Sequence, residues 1–285
     1  MQHRLDPTPQ TVADTFSRDR PPVLTVQPGD CVVVRSLDAS GYLSRQSRPG
    51  ERQPTMFAKA RGHCLTGPIA VAGAEPGMVL AVRLLSLRPD DWGWTVSAAL
   101  DNLLTRRLGV AEGPPSWLLW ELDAERRTAT SDRGLSVAMA PFLGVMGVAP
   151  AQPGEHSTVP PRAEGGGNID CRELVAGTTL YLPVMVPGAL LSLGDGHAAQ
   201  GDGEVGGTAI ECPMTTEVEL RLLTGRPVGV STRSPRRARS PSASTPTSTQ
   251  RQRTPWTPCS PGCSRSTAST RPPPWRWRAP WWTFA

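Results

Sequence analysis

The sequence predicts a mainly β protein, a sandwich or barrel-like double sheet with few helices, and one pattern occurring three times is the reason. In each occurrence two short runs rich in valine, leucine and isoleucine flank a turn containing proline and glycine. The segments are residues 22–37 (PVLTVQPGDCVVVRSL), 69–87 (IAVAGAEPGMVLAVRLLSL) and 178–196 (TTLYLPVMVPGALLSLGDG). β-Branched residues suit a pleated, half-buried strand, while proline presets φ and glycine accepts positive φ, so each segment reads as a hairpin.

The first turn falls at Gln27, Pro28, Gly29 and Asp30, the second at Glu75, Pro76 and Gly77, the third at Pro187 and Gly188. Between the second and third, residues 98–110 and 115–122 are less regular. The pairs Trp92/Trp94 and Trp117/Trp120 read as core or rim packing. Residues 154–170 (GEHSTVPPRAEGGGNID) hold two prolines and three consecutive glycines among polar residues, which is a loop. Loops of this kind, braced by a sheet, are where sites are usually built.

A chain of 285 residues has ample apolar material for a core. Its charge is divided. Residues 231–285 hold ten arginines and no acidic residue, so the overall +5 conceals a mildly acidic body, 1–230, of net charge −5. The body therefore gives no sign of a nucleic-acid partner. No apolar run reaches 18 residues, and the start MQHRLDPTPQ lacks both a charged leader and an apolar segment, which excludes a membrane partner and predicts a cytoplasmic protein. Cys31, Cys64, Cys171 and Cys212 are scattered without metal-type or disulfide-type spacing and read as reduced thiols, small hydrophobes in the body.

The densest chemistry lies in residues 194–211, GDGHAAQGDGEVGGTAIE, where Asp195, His197, Gln200, Asp202, Glu204 and Glu211 are separated mostly by glycine and alanine. Asp-x-His places both side chains on one face of an extended segment, because the strand period is two. Acids and an imidazole so placed offer ligands for a divalent cation or a general base. Of the four histidines, His197 has the strongest case and His63, in RGHCLTGP before a strand, the next; His3 and His156 follow. Ser157 beside His156 lacks the GxSxG elbow of a serine hydrolase.

Four segments, in order, carry a likeness: residues 62–82 (GHCLTGPIAVAGAEPGMVLAV), 141–150 (PFLGVMGVAP), 156–170 (HSTVPPRAEGGGNID) and 180–214 (LYLPVMVPGALLSLGDGHAAQGDGEVGGTAIECPM). Together they resemble the acetamidase/formamidase family over about 200 residues. The resemblance implies a β-rich hydrolase that converts a short aliphatic amide to carboxylate and ammonia, with a divalent metal, zinc or calcium, at the acidic cluster. Position by position, GGNxD falls on Gly166, Gly167, Asn168 and Asp170; GDGHAAQGDGE falls on Asp195, His197, Gln200, Asp202 and Glu204; the histidine of GHxLTGP is His63. Within that reading Asp170, Asp195 and His197 hold the metal, Glu204 or Asp202 carries the proton from water to the departing nitrogen, and Asn168 donates to the oxyanion. Departures occur at Cys64, where proline is expected, at Phe16, where tryptophan is expected, and at a histidine-rich start reduced to Gln2 and His3. These bear on substrate preference. The alternatives are an inactive pseudoenzyme or small-ligand binding module on the same fold, and a hydrolase for a cyclic or larger amide. A homo-oligomer is compatible with either.

The tail, 231–285, reads as serine, threonine, proline, arginine, cysteine and tryptophan with no periodic apolar face. Its composition suits a disordered linker, yet it holds five tryptophans, and the whole chain has a single lysine, a mark of a GC-rich gene. A shifted frame in such a gene yields this mixture. If each true codon took its middle base from the first base of the visible codon, apolar residues would fall at Trp256, Cys259, Ser260 and Cys263. That is one face of a helix. The tail thus reads as a frameshift product standing in place of C-terminal helices, with poor solubility as the consequence. A basic arm for nucleic acid would instead bind with strong salt dependence.

Overall fold

The computed structural model describes residues 1–97, 101, 103–109, 111–162, 164–224 and 231–233. Along the chain run β1 (Gln2–Leu5), β2 (Val12–Ala13), β3 (Thr15–Phe16), β4 (Leu24–Val26), β5 (Cys31–Ser36), β6 (Leu65–Val71), β7 (Val79–Pro89) and β8 (Trp92–Ser97). A short helix α1 (Leu103–Leu108) precedes β9 (Ser116–Asp123), β10 (Thr128–Ser131), β11 (Ser136–Ala138), β12 (Phe142–Val148), β13 (His156–Ser157) and β14 (Gly166–Asn168). Then follow β15 (Thr179–Pro183), β16 (Leu191–His197), β17 (Glu211–Cys212), β18 (Met214–Leu223) and β19 (Ser231–Arg233).

Two large sheets result. One has six strands in the order β1-β5-β18-β7-β15-β19. The other has eleven, with a path β11-β10-β9-β8-β17-β16-β12-β14 and β6 joining β16 to β2 and β4. Strand β5 shows why the sheets pack. Its residues alternate between half-buried and buried, so Val32 and Val34 point inward with no exposure. They enter one apolar cluster with Leu80, Val82 and Leu220 of the smaller sheet and with Phe142, Leu143, Met146 and Leu193 of the larger. Each such side chain stabilises the fold by roughly 1.5–3 kcal/mol through removal from water. In the larger sheet β6, β12 and β16 are buried along their whole length, covered on both faces.

The double sheet agrees with the sequence, but the three hairpins do not. Strand β4 pairs in parallel with β6 in the larger sheet, while β5 pairs with β1 and β18 in the smaller. Likewise β6 and β7 lie in different sheets, as do β15 and β16. Each proline-glycine turn is therefore a corner that carries the chain from one layer to the other. The turn chemistry was legible, but a turn does not name its strand's partner, and strands buried on both faces lack the alternation that would reveal a sheet's sidedness. Residues 115–122 also differ from expectation, since β9 is a full strand pairing with β8 and β10.

Trp94 and Trp120 are buried, Trp94 packs on Trp117 with ring centroids 5.5 Å apart, and Trp120 Nε1 donates to Thr95 Oγ1 at 3.0 Å. These rings pack, as the sequence predicts. The 154–170 loop is tacked down twice, where β13 pairs with β3 and β14 with β12. Among the described residues the cysteines are free thiols, Cys64 and Cys212 buried and Cys31 and Cys171 half-buried. The tail reading lies outside the described residues except for β19, which pairs with β15. No helix among the described residues is long and apolar enough to cross a membrane.

Candidate active site

Strand β16 presents Asp195 and His197, two residues apart and so on one face. Antiparallel pairing sets His197 opposite Phe142 on β12 and opposite Glu211 on β17. The same register, Leu143 with Gly196 and Val145 with Gly194, leaves Gly144 across from Asp195. Gly144 contributes no side chain, and this makes room. A Cβ there would overlap the Asp195 carboxylate and lie 2.7 Å from both Asp170 Oδ1 and His197 Cε1.

Three carboxyl groups and one side-chain amide gather around the His197 ring. Its Nε2 is 3.5 Å from Asp195 Oδ1 and 3.4 Å from Glu211 Oε1; its Nδ1 is 3.7 Å from Glu204 Oε1 and 3.3 Å from Gln200 Oε1. The ring stands edge-on to Phe142, centroids 4.9 Å apart. Asp170 follows β14, where the N–H groups of Ile169 and Asp170 both donate to Gly144 O, at 2.9 and 3.2 Å. Gln200 Nε2 donates to Asp170 O at 3.2 Å, so one amide ties the Asp170 turn to the His197 ring. Two overlapping triads, Asp170/Asp195/His197 and His197/Glu204/Glu211, each bring one ligand atom per residue within 4.8 Å of the others. Asp170, Asp195 and Glu204 all hold positive φ, at 45°, 60° and 42°. Non-glycine residues adopt this region at a cost that surrounding structure must offset, and such residues cluster at functional sites.

Electrostatics follow from burial. Side-chain exposure is 2% for His197 and 4% for Asp195 and Glu211. Burial, reinforced by neighbouring carboxylates, pushes Asp170 up to about 6, Glu204 to about 8 and Glu211 to about 7. Asp195 goes the other way: burial opposes its charge, but His197 and His63 outweigh burial and hold it well below the usual range. Burial likewise opposes charge on His197, yet Glu211 and Asp195 prevail and raise it. The pocket thus holds more negative charge than its imidazoles neutralise. Glu204 Oε1 and Glu211 Oε2 are buried without a hydrogen-bond partner. Several carboxylates, one imidazole, orphaned oxygens and a cradle that a Cβ would fill fit a divalent cation.

Of the residues singled out in the sequence, Asp170, Asp195, His197 and Glu204 come together. His63 stands beside the cluster: Leu65, two residues on, pairs with Gly194 of β16, and the His63 backbone N–H donates to Thr158 Oγ1 at 2.7 Å. Asp202 does not join them. Its carboxylate is 88% exposed and faces Arg172 Nη1 at 3.2 Å. Asn168 donates through Nδ2 to Val159 O at 2.8 Å, tying down the loop. Ser157 Oγ accepts from the Val159 N–H and His156 Nε2 lies near backbone carbonyls, so the two form no nucleophile-base pair. The sequence names Glu211 and Gln200 only as members of the clustered ligand types and gives Gly144 no role. Glu211 and Gln200 were visible as ligand types in the cluster, but only strand pairing shows that Glu211 meets His197.

The family model described as the acetamidase/formamidase family matches residues 2–156 and 153–249. Acetamidase from Mycolicibacterium smegmatis is 28% identical, the match covering 73% of this chain and 64% of the relative. Formamidase from Methylophilus methylotrophus is 27% identical, covering 66% of this chain and 58% of the relative. The chain thus spans less than two thirds of the length of these curated relatives. The crystal structure of acetamidase from Bacillus halodurans superposes with a TM-score of 0.70 at 27% identity, over 81% of this chain and 74% of that one. With its motifs placed on this fold and the family model covering most of its length, the chain belongs to the acetamidase/formamidase family.

Proposed function

We propose that this protein hydrolyses a short linear amide, of the formamide or acetamide type, to carboxylate and ammonia at the cluster around His197. The observation that carries the reading is the set of buried acids on one imidazole, with the oxygens of Glu204 and Glu211 left without partners. The names of its relatives, acetamidase and formamidase, support the substrate class.

Asp170, Asp195 and His197 would hold a divalent cation, with Glu211 beside Asp195 at Nε2 of the ring and Glu204 at its Nδ1. An imidazole ligand favours zinc over calcium, which prefers oxygen donors throughout. Bound there, the cation supplies Lewis-acid polarisation of an oxygen and offsets the carboxylate charge. Amide hydrolysis must activate a weak nucleophile and protonate a poor leaving group. Glu204, pushed by burial toward neutral pH, suits both tasks: its carboxylate takes a proton from water as the carbon–oxygen bond forms, and returns it to nitrogen as the carbon–nitrogen bond breaks. His63, which the pairing of Leu65 with Gly194 sets beside β16, would donate to the oxygen on which charge develops. Asp202, exposed and paired with Arg172, is the weaker candidate for the base, and Asn168 supports the loop.

Residues 1–230 would form the enzymatic domain, and 231–285 a frameshifted segment replacing native helices, in a cytoplasmic protein. The experiment is ammonia release from formamide and acetamide, with and without chelator, by this 285-residue protein and by one with the frame restored near codon 230. Release that chelator abolishes supports the reading. Metal binding without release by the restored protein would replace it with a binding module.

A further inference from the structure

The His63 ring is held by a hydroxyl that the proposed mechanism does not use. Thr158 has no exposed surface, and its Oγ1 meets two atoms of one residue: the His63 backbone N–H, which donates to it at 2.7 Å, and the His63 ring Nδ1 at 3.2 Å. The hydroxyl is also pressed against the turn before His63, since a Cβ on Gly62 would overlap Thr158 Oγ1 and lie 2.7 Å from Asp14 O. That turn is clamped from its other side. Asp14 accepts from the Arg61 backbone N–H at 2.9 Å and from its guanidinium Nη2 at 2.8 Å, and Arg61 reaches on to Glu155 on the segment that delivers Thr158.

A threonine hydroxyl has one proton to donate and two lone pairs. One lone pair is taken by the His63 N–H. Among the described residues, the acceptor within reach of the hydroxyl proton is the ring Nδ1. Donation there requires Nδ1 to be unprotonated, so the neutral ring carries its proton on Nε2. A ring fixed by the partner of one nitrogen presents the other in a defined state, and it is this partner that chooses the tautomer. We propose that Thr158 is a positioning residue that locks His63 as the Nε2–H tautomer, so that His63 serves as a hydrogen-bond donor to the amide oxygen and not as a base. This rests on the amidase reading of the site and assigns within it a division of labour: Glu204 moves the proton, His63 stabilises the oxyanion.

The test begins on the wild-type chain and does not require turnover. Long-range proton–nitrogen correlation spectra of 15N-histidine-labelled protein, recorded above the titration of the ring and assigned by loss of the signals in His63→Gln, report each ring nitrogen. The expected result is a pyridine-type Nδ1 and a pyrrole-type Nε2 at His63. Thr158→Ala should move both shifts toward the averaged values of a free ring, and Thr158→Ser, which keeps the hydroxyl, should restore them. In kinetics Thr158→Ala should lower kcat about 10–100-fold, the range for residues that orient a working histidine, with KM little changed, and serine should recover most of it. A pyrrole-type Nδ1 in the wild type, or ring shifts indifferent to Thr158→Ala, would overturn the proposal. Failure of the underlying amidase reading looks different: ammonia release would survive Asp195→Asn while the His63 spectrum stayed as described.

Discussion

Gly144 faces Asp195 across the β12–β16 ladder, and the missing Cβ is the space in which the carboxylates of Asp195 and Asp170 converge on His197. The backbone of Gly144 is not in the left-handed region, so alanine there strains no dihedral. Gly144→Ala should therefore act on the site alone, pushing Asp195 aside. A displacement of about 1 Å in a catalytic group costs roughly 100-fold in rate. The expected outcome is a drop of that order in ammonia release with weakened metal binding, measured by steady-state kinetics and metal titration; unchanged turnover would detach Asp195 from the chemistry.

In metal-free protein the raised carboxyls set a pH dependence of stability. Burial first, then like charges, lift Asp170 from 3.8 to about 6, Glu204 from 4.5 to about 8 and Glu211 from 4.5 to about 7. A folded state that binds more protons than the unfolded loses stability as pH rises. The contribution is full below about pH 4 and is lost as pH climbs to about 8. Asp195, lowered, contributes with the opposite sign but only at acid pH. Thermal unfolding of chelated protein should fall in midpoint between pH 5 and pH 8, Glu204→Gln should flatten the slope, and zinc should raise the midpoint most at the alkaline end. A midpoint rising over that window would contradict this.

Much of this site could be read from the sequence, and the limit has a physical cause. Asp195 and His197 are two apart on a strand, so the period of the strand alone puts them together. Glu204 follows in a glycine-rich run that lets the chain turn back. Glu211 and Gly144 are different: each meets the cluster through strand pairing, from 14 residues beyond His197 in one case and from the far side of the ladder in the other. Pairing is set by tertiary packing and leaves no local mark, which is also why three corners between sheets read as three hairpins. Asp202 shows the converse error, since proximity in a motif does not prevent a side chain from pointing into solvent.

Asp14 is the anchor of the His63 turn. Burial disfavours its charge, but the Arg61 guanidinium and backbone N–H outweigh burial and hold its carboxyl below the usual range. Asp14→Ala leaves the Arg61 N–H without its acceptor and should cost about 1–3 kcal/mol. The stability that Asp14 contributes is present above its unfolded value of 3.8 and lost as pH falls through the lower folded value. Chemical denaturation at pH 7 and pH 3 checks both: the gap between wild type and variant should narrow at the lower pH.

Cys64 and Cys212 are buried, and burial first, with nearby carboxylates, pushes the Cys64 thiol up to about 12 and raises that of Cys212 well above the ordinary value. The thiolate is the reactive form. Iodoacetamide at pH 8 should leave both unmodified in folded protein and label both in denaturant, read by peptide mass spectrometry. Labelling of Cys64 in the native protein would show that the turn beside Gly41 opens.

The central claim is that the cluster around His197 uses a divalent metal to hydrolyse small amides. Its most direct test is ammonia release from formamide and acetamide by the frame-restored protein after chelation and then after stepwise return of zinc. The account predicts no release in the chelated state and recovery in proportion to metal bound, absent in Asp195→Asn. Full activity in chelated protein, or zinc bound at the cluster with no release from either amide, would contradict it.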